Sequence, residues 1–148
     1  MSRRELTERL AVELIKQFEG VSLTAYRDPG GVWTIGWGHT TGVKPGMSIT
    51  AEQAEKLLKQ DLTPLLDLVE AAGIPAAAAA ALVSFGYNAG RTRLLRAMQM
   101  PPEEAVAYMS QIVHDRKGNM LRGLIRRRAI ETALLLAGME NHDTIRSA

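Results

Sequence analysis

Only one stretch of this chain reads as β structure, and it constrains how everything else can be arranged. Residues 21–27 and 32–37 are rich in Val, Leu, Thr, Tyr, Trp and Ile, with Asp28-Pro29-Gly30-Gly31 between them. Asp bonds its own backbone, Pro fixes φ and Gly reaches positive φ, so each favours a turn for a different reason. The pattern predicts a single β-hairpin with Asp28 in its turn. Helical periodicity surrounds it. Ser2 with Glu5 fits a capping box. Leu6, Leu10, Ala11, Leu14, Ile15 and Phe18 then recur at helical spacing, so a first helix over about residues 3–18 delivers Glu19 at its C-terminal end. Thr50 with Gln53 is a second capping box, and Leu58, Leu62, Leu65 and Val69 draw an apolar stripe down a long helix to near Gly73. Pro64 falls inside that helix and should kink it. After Pro75, Ala76–Ala81 are six alanines in a row, which predict a helix through Phe85 packed closely on all sides and ended by Asn88-Ala89-Gly90. Further helices are predicted over 91–100, 102–113 and 123–137. The fold class is therefore α+β and mostly helical, one domain over 1–148. A small hairpin lobe spans about 13–60. A larger helical lobe spans about 61–148 with the start of the first helix, and the long helix joins the two.

A chain of 148 residues can bury one sizeable core. It has no cysteine, which excludes disulfides, thiolate nucleophiles and Cys-based metal sites. The charged start, Met1 to Glu8, is followed by no apolar h-region, and no run approaches the ~18 apolar residues of a membrane span. No signal peptide and no integral membrane segment are expected. Net charge is only +2 but unevenly spread. Residues 91–128 hold nine cations (Arg91, Arg93, Arg96, Arg116, Lys117, Arg122, Arg126, Arg127, Arg128) against Glu103, Glu104 and Asp115. Such a region reads either as a solvated helix face or as a surface for an anionic partner: nucleic acid, a membrane or an acidic wall polymer. No recognition motif for nucleic acid accompanies it.

The candidate chemistry lies in Glu19, Asp28 and Thr34. Cleaving a glycosidic bond takes a proton donor for the leaving oxygen and a carboxylate on the other face, to attack or to direct water. Glu19 follows an apolar helix face and suits the donor. Asp28, in a polar Gly-rich turn, suits the ionised partner. A hydroxyl at Thr34 can fix one water by donating to it and accepting from it. Each residue also has an ordinary explanation. Glu19 can be a solvated helix end, Asp28 can bond its own turn, and Thr belongs in strands.

The motifs Phe18-Glu19-Gly20, Tyr26-Arg27-Asp28 and Trp33-Thr34-Ile35-Gly36-Trp37-Gly38-His39-Thr40, followed by Gly42-Val43-Lys44-Pro45-Gly46, resemble the phage-type lysozymes, the endolysins of glycoside hydrolase family twenty-four. Residues 54–61, 82–90 and 123–131 resemble that family's inter-lobe, central and closing helices. The resemblance covers about residues 10–137. It implies a lysozyme-like fold and a muramidase that hydrolyses the β-1,4 bond between N-acetylmuramic acid and N-acetylglucosamine in peptidoglycan. Glu19 would be the general acid, with Asp28 and Thr34 placing water. The reaction would be inverting, with the carboxyls about 6.5–9.5 Å apart. Hydrolysis is expected over a lytic-transglycosylase reaction, which can run on one acid. No cofactor and no metal are implied. The chain would be a monomer that accumulates in the host cytoplasm, is released with a holin partner, and acts on the wall in the periplasm.

By the same resemblance His39 pairs with Asp61 on the long helix. Metal binding is the weaker reading, since His114 and His142 show no ligand spacing with His39. Tyr87 and Asn88 fall where the family's cleft floor lies and are assigned to sugar contact, with helix capping as the alternative for Asn88. The chain departs from the family at Gln111–Gly118, where relatives often carry Trp-x-Tyr. That puts the usual packing and an outer saccharide contact in doubt. Two rival functions lean on the basic region: a wall- or membrane-binding module without catalysis, and membrane disruption by amphipathic helices over 119–137.

Overall fold

The computed structural model describes residues 1–147. Ala148 and the side chains from 141 on, His142 among them, lie outside the described residues. The elements run α1 (Arg3–Phe18), β1 (Ser22–Arg27), β2 (Trp33–Gly36), α2 (Ala51–Ala71), α3 (Ala76–Ala89), α4 (Arg91–Met98), α5 (Pro102–Ser110) and α6 (Arg122–Ser147).

Both capping boxes form. Ser2 Oγ accepts from Glu5 N at 3.0 Å while Glu5 Oε2 accepts from Ser2 N at 3.2 Å. Thr50 and Gln53 repeat the exchange at 3.1 and 2.8 Å. β1 and β2 pair antiparallel, with Tyr26 opposite Thr34 and Arg27 opposite Trp33. The register slips between Ser22 and Tyr26. α2 continues through Pro64 and turns Ala54, Leu58, Leu62, Leu65, Leu66 and Val69 inward.

α3 is the centre of the molecule. Ala78 through Gly86 are buried without interruption, and α1, α2, α4 and α6 all pack on this helix. Alanine suits that position: its small side chain lets four neighbours approach one axis, while its propensity keeps the helix formed without an amphipathic face. Ile15, Leu58, Leu62, Leu66, Val83, Phe85, Leu94 and Met109 fill the space between. Gly86 serves the same end, since a Cβ there would stand 2.7 Å from Leu94 Cδ2.

Three features differ from the sequence expectation. α5 stops at Ser110 rather than running to Val113. Asp115 pulls the chain into a tight turn instead. Its Oδ1 accepts from Lys117 N and Asn119 N, both at 2.9 Å, and Gly118 takes φ +85°. His114 and Met120 then bridge antiparallel. An Asp side chain that bonds the backbone two and four residues on competes with helix continuation. α6, by contrast, runs past Ala137 to Ser147. Gly138 does not end it but packs it: a Cβ at this position would lie 2.5 Å from Ala78 N. Finally, the basic segment is not all surface. Arg127 and Arg128 are 3% and 2% exposed, so the expected Arg-lined outer face of 119–137 loses two of its four arginines. Among the described residues no helix is long and apolar enough to cross a membrane.

Gly138→Ala should cost about 1–3 kcal/mol in urea unfolding through overpacking against α3, whereas Gly123→Ala, with nothing within 4 Å of the new methyl, should be neutral or stabilising by up to about 1 kcal/mol. Equal effects at both glycines would contradict the packing. The Asp115 turn carries a pH signature as well. Hydrogen bonds from Asn119 N above all, and from the Asn119 amide and Lys117 N, hold the Asp115 carboxyl below its ordinary value. A depressed folded-state value adds stability that is present above the unfolded value and is lost as pH falls through the folded one. The stability gap between wild type and Asp115→Asn should therefore narrow from about pH 5 to about pH 2 in paired denaturant titrations.

Candidate active site

Glu19 sits where α1 ends. Its backbone has left the helix (φ −95°, ψ 131°), while its N–H still bonds Ile15 O at 2.8 Å. That fixes the direction in which the side chain departs. Arg127 from α6 fixes its end, donating from a terminal nitrogen to Glu19 Oε1 at 2.9 Å. The other oxygen, Oε2, lies 3.6 Å from where a Cβ on Gly38 would be. Gly38 has φ +103°, and the same Cβ would approach Tyr87 Oη to 3.1 Å. Only glycine lets the segment after β2 pass this close to both groups.

Arg127 is held in turn by a buried polar set that charge patterning did not reveal. Its Nε donates to Glu131 Oε2 at 3.1 Å and a terminal nitrogen donates to Ser84 O at 3.0 Å. Arg128 donates to Glu131 Oε1 at 2.7 Å, to Ile112 O at 3.0 Å and to Asn88 Oδ1. Ser84 Oγ also donates to Glu131. The Arg127 guanidinium lies over Phe18 and that of Arg128 over Phe85, at 4.9 and 4.8 Å. Burial lowers the Arg128 value, and the nearby Glu131 carboxylate opposes that shift. The sequence did carry a signal for this set: Arg127 and Arg128 stand four and three residues before Glu131, the spacing of partners on one helix face.

Asp28 occupies the hairpin turn and spends one oxygen on it. Oδ1 accepts from Val32 N at 2.8 Å, while Asp28 N bonds Val32 O at 2.9 Å. Oδ2 has no partner among the described residues. Thr34 is 4% exposed, and its hydroxyl donates to Val32 O at 3.0 Å. With the hydroxyl proton directed to the strand, acceptor capacity is what Thr34 turns to the cleft.

One cleft of about 660 Å³ gathers Glu19, Asp28, Thr34, Asp61, Tyr87 and Asn88 on its walls. His39 stands behind Asp61 rather than in the wall. Its Nδ1 lies 2.7 Å from Asp61 Oδ2 and its Nε2 lies 2.8 Å from Thr41 O. Tyr87 donates its hydroxyl to Trp37 O at 2.9 Å. Burial above all, then the charges of Asp61 and Glu19, raise its value well beyond the ordinary phenol. It stays protonated, so its one donor ties α3 to the segment after β2. Asn88 receives Arg128 on Oδ1, which leaves its amide nitrogen for the cleft. Among the described residues no three His, Asp or Glu side chains cluster as metal ligands do.

Truncating a buried charge partner is costly, because the remaining charges keep their desolvation penalty. Arg127→Met should lower unfolding stability by about 3–5 kcal/mol in urea titrations. A loss under about 1 kcal/mol would mean that the buried set does not hold α6 to α1 and α3.

Comparison with known proteins adds three kinds of likeness. A family model described as phage lysozyme matches residues 16–131. The endolysin of Acyrthosiphon pisum secondary endosymbiont phage 1 is 35% identical over 133 residues, covering 82% of this chain and 91% of that protein. The endolysin of Bacillus phage PZA is 35% identical over 138 residues, 86% of this chain. The match takes in 54% of that relative, so the chain spans about half its length. Among solved structures, the muramidase domain of SpmX from Asticaccaulis excentricus is 38% identical with a TM-score of 0.71, covering 86% of this chain and 95% of that one.

Proposed function

The chain belongs to the phage lysozyme family, which makes it a glycoside hydrolase of the lysozyme class, and on that premise we propose that it is an endolysin of glycoside hydrolase family twenty-four that hydrolyses peptidoglycan between N-acetylmuramic acid and N-acetylglucosamine with Glu19 as its general acid. The observation that carries this reading is that Glu19, from the end of α1, and Asp28, from the hairpin turn, line one cleft together with Thr34. Two carboxyls on separate elements can flank a sugar, which neighbours on one element cannot do as readily.

The partners of each group assign it a task. Arg127 occupies Glu19 Oε1, so the proton goes to the leaving glycosidic oxygen from Oε2. Asp28 Oδ2 and the Thr34 hydroxyl are both acceptors facing one cleft. A water that donates one proton to each has its lone pair directed at the anomeric carbon, and attack from that face inverts the configuration. This course requires the wider carboxyl separation of inverting enzymes, about 6.5–9.5 Å. The cleft lies between a hairpin lobe of about residues 13–60 and the helical remainder, and His39–Asp61 braces the lobe junction from behind. Asn88 Nδ2 is available to a sugar acetamide or hydroxyl, whereas Tyr87 contributes its ring face. The enzyme works as a monomer. It is made in the host cytoplasm, passes to the wall when a holin opens the membrane, and needs no cofactor.

Glu19→Gln should lower kcat by about 10²–10⁴-fold, the usual contribution of a positioned acid, with Asp28→Asn in the same range and Thr34→Val milder. Digested wall should carry reducing muramic-acid ends, seen by borohydride reduction and mass spectrometry. Anhydromuramic ends, or full activity in Glu19→Gln, would refute the assignment.

A further inference from the structure

The sequence departs from its family at Gln111–Gly118, and the structure brings one side chain of that segment, Arg116, to the hairpin turn beside the cleft. The turn at Asp115 is pinned by three hydrogen bonds to the Asp115 carboxylate, from Lys117 N and Asn119 N at 2.9 Å and from Asn119 Nδ2 at 3.4 Å. It presents Arg116 to the hairpin turn. An Arg116 terminal nitrogen lies 3.3 Å, and its Cζ 3.6 Å, from the point a Cβ on Gly30 would occupy, with Asp28 Oδ1 3.4 Å from the same point. The guanidinium thus reaches the hairpin turn two residues from the proposed water-directing acid. Arg91, at the start of α4, lines the cleft itself. Neither Arg91 nor Arg116 has a carboxylate within 4.0 Å among the described residues. The acids of the cleft are committed elsewhere: Glu19 to Arg127, Asp61 to His39, Asp28 to its own turn.

A neutral sugar chain asks for hydrogen bonds and ring contacts, not for uncommitted guanidinium groups. Of the three wall acids only Asp28 has no cationic partner among the described residues, and its charge would oppose a strand that bears carboxylates unless cations stood near it. Guanidinium groups meet carboxylates in a bidentate fork. We propose that Arg116, aided by Arg91, recognises carboxylate groups on the glycan strand and so makes the cleft selective for acid-bearing strands. The inference rests on the muramidase reading and names the chemistry by which the rim of that site selects its substrate. Two sources could supply the carboxylate: the stem peptides, or the lactyl group of muramic acid once the peptide is removed.

The test measures KM and kcat on soluble glycan strands, peptide-bearing and amidase-stripped, at low and high salt. Arg116→Gln should raise KM about two- to fivefold and flatten its salt dependence while kcat holds, as expected for an exposed charge at a binding rim. Arg116→Lys, which keeps the charge but not the fork, should recover part of the loss. An effect confined to peptide-bearing strands assigns the carboxylate to the stem, and one confined to stripped strands assigns it to the lactyl group. Unchanged KM on both, or a loss that Arg116→Lys shares in full and salt does not modulate, would overturn the inference. If reducing muramic-acid ends are still released in that case, the muramidase reading stands and only the rim assignment falls.

Discussion

Four charged side chains close on one another inside this molecule, and the cleft depends on them. Arg127 and Arg128 on α6, with Glu131 one turn later, are almost wholly removed from water, and Arg127 alone reaches out of the core to Glu19. Taking such groups out of water costs several kcal/mol each, and well-packed apolar side chains would often be as stable. What apolar side chains could not do is hold a carboxylate oxygen at a set place. Because Arg127 simultaneously grips Ser84 on α3 and Glu131 on its own helix, the end of α1 is tied to the two helices at the centre of the fold. Rotating α6 about its axis would break all of these contacts together.

The opposite wall is fixed by a different bond, from Tyr87 Oη on α3 to Trp37 O. Lys16 on α1 adds a second tie, bonding Glu55 on α2 and lying over the Trp37 ring at 5.1 Å. Both walls are therefore referred to α3, one through Ser84 and one through Tyr87, three residues apart on a buried helix. A helix of alanines serves this purpose because it leaves little room for its neighbours to shift. Gly38 completes the arrangement by letting the hairpin side come within contact of Tyr87 and Glu19.

Much of this was legible in the sequence where the signal is local. Capping boxes at Ser2 and Thr50, the Asp28 turn and the alanine run each declare themselves within a few residues, because hydrogen bonds across three or four positions decide them. The fate of the arginines was not legible from charge counting. A guanidinium looks the same in composition whether it faces solvent or a glutamate, and only the spacing to Glu131 distinguishes the two. The end of α5 was missed for a related reason: Ile112 and Val113 continue the apolar spacing of Val106 and Met109, and it is the Asp115 side chain, bonding forward, that turns the chain. Gly138 stands just past the expected end of α6 at Ala137, yet α6 continues through it. Glycine usually ends a helix, but here the missing Cβ is what lets α6 lie on α3.

Each of the three groups assigned to chemistry divides its atoms between the fold and the cleft. Glu19 gives Oε1 to Arg127 and keeps Oε2. Asp28 gives Oδ1 to Val32 N and keeps Oδ2. Thr34 gives its proton to Val32 O and keeps its lone pairs. A side chain anchored through one atom loses rotamer freedom before substrate arrives, so the ordering entropy is met in folding rather than at binding. This also explains why a carboxylate that bonds its own turn is no argument against a chemical role for Asp28. The turn bond is what aims the remaining oxygen, and a freely rotating acid at the same position would have to be ordered anew in every turnover.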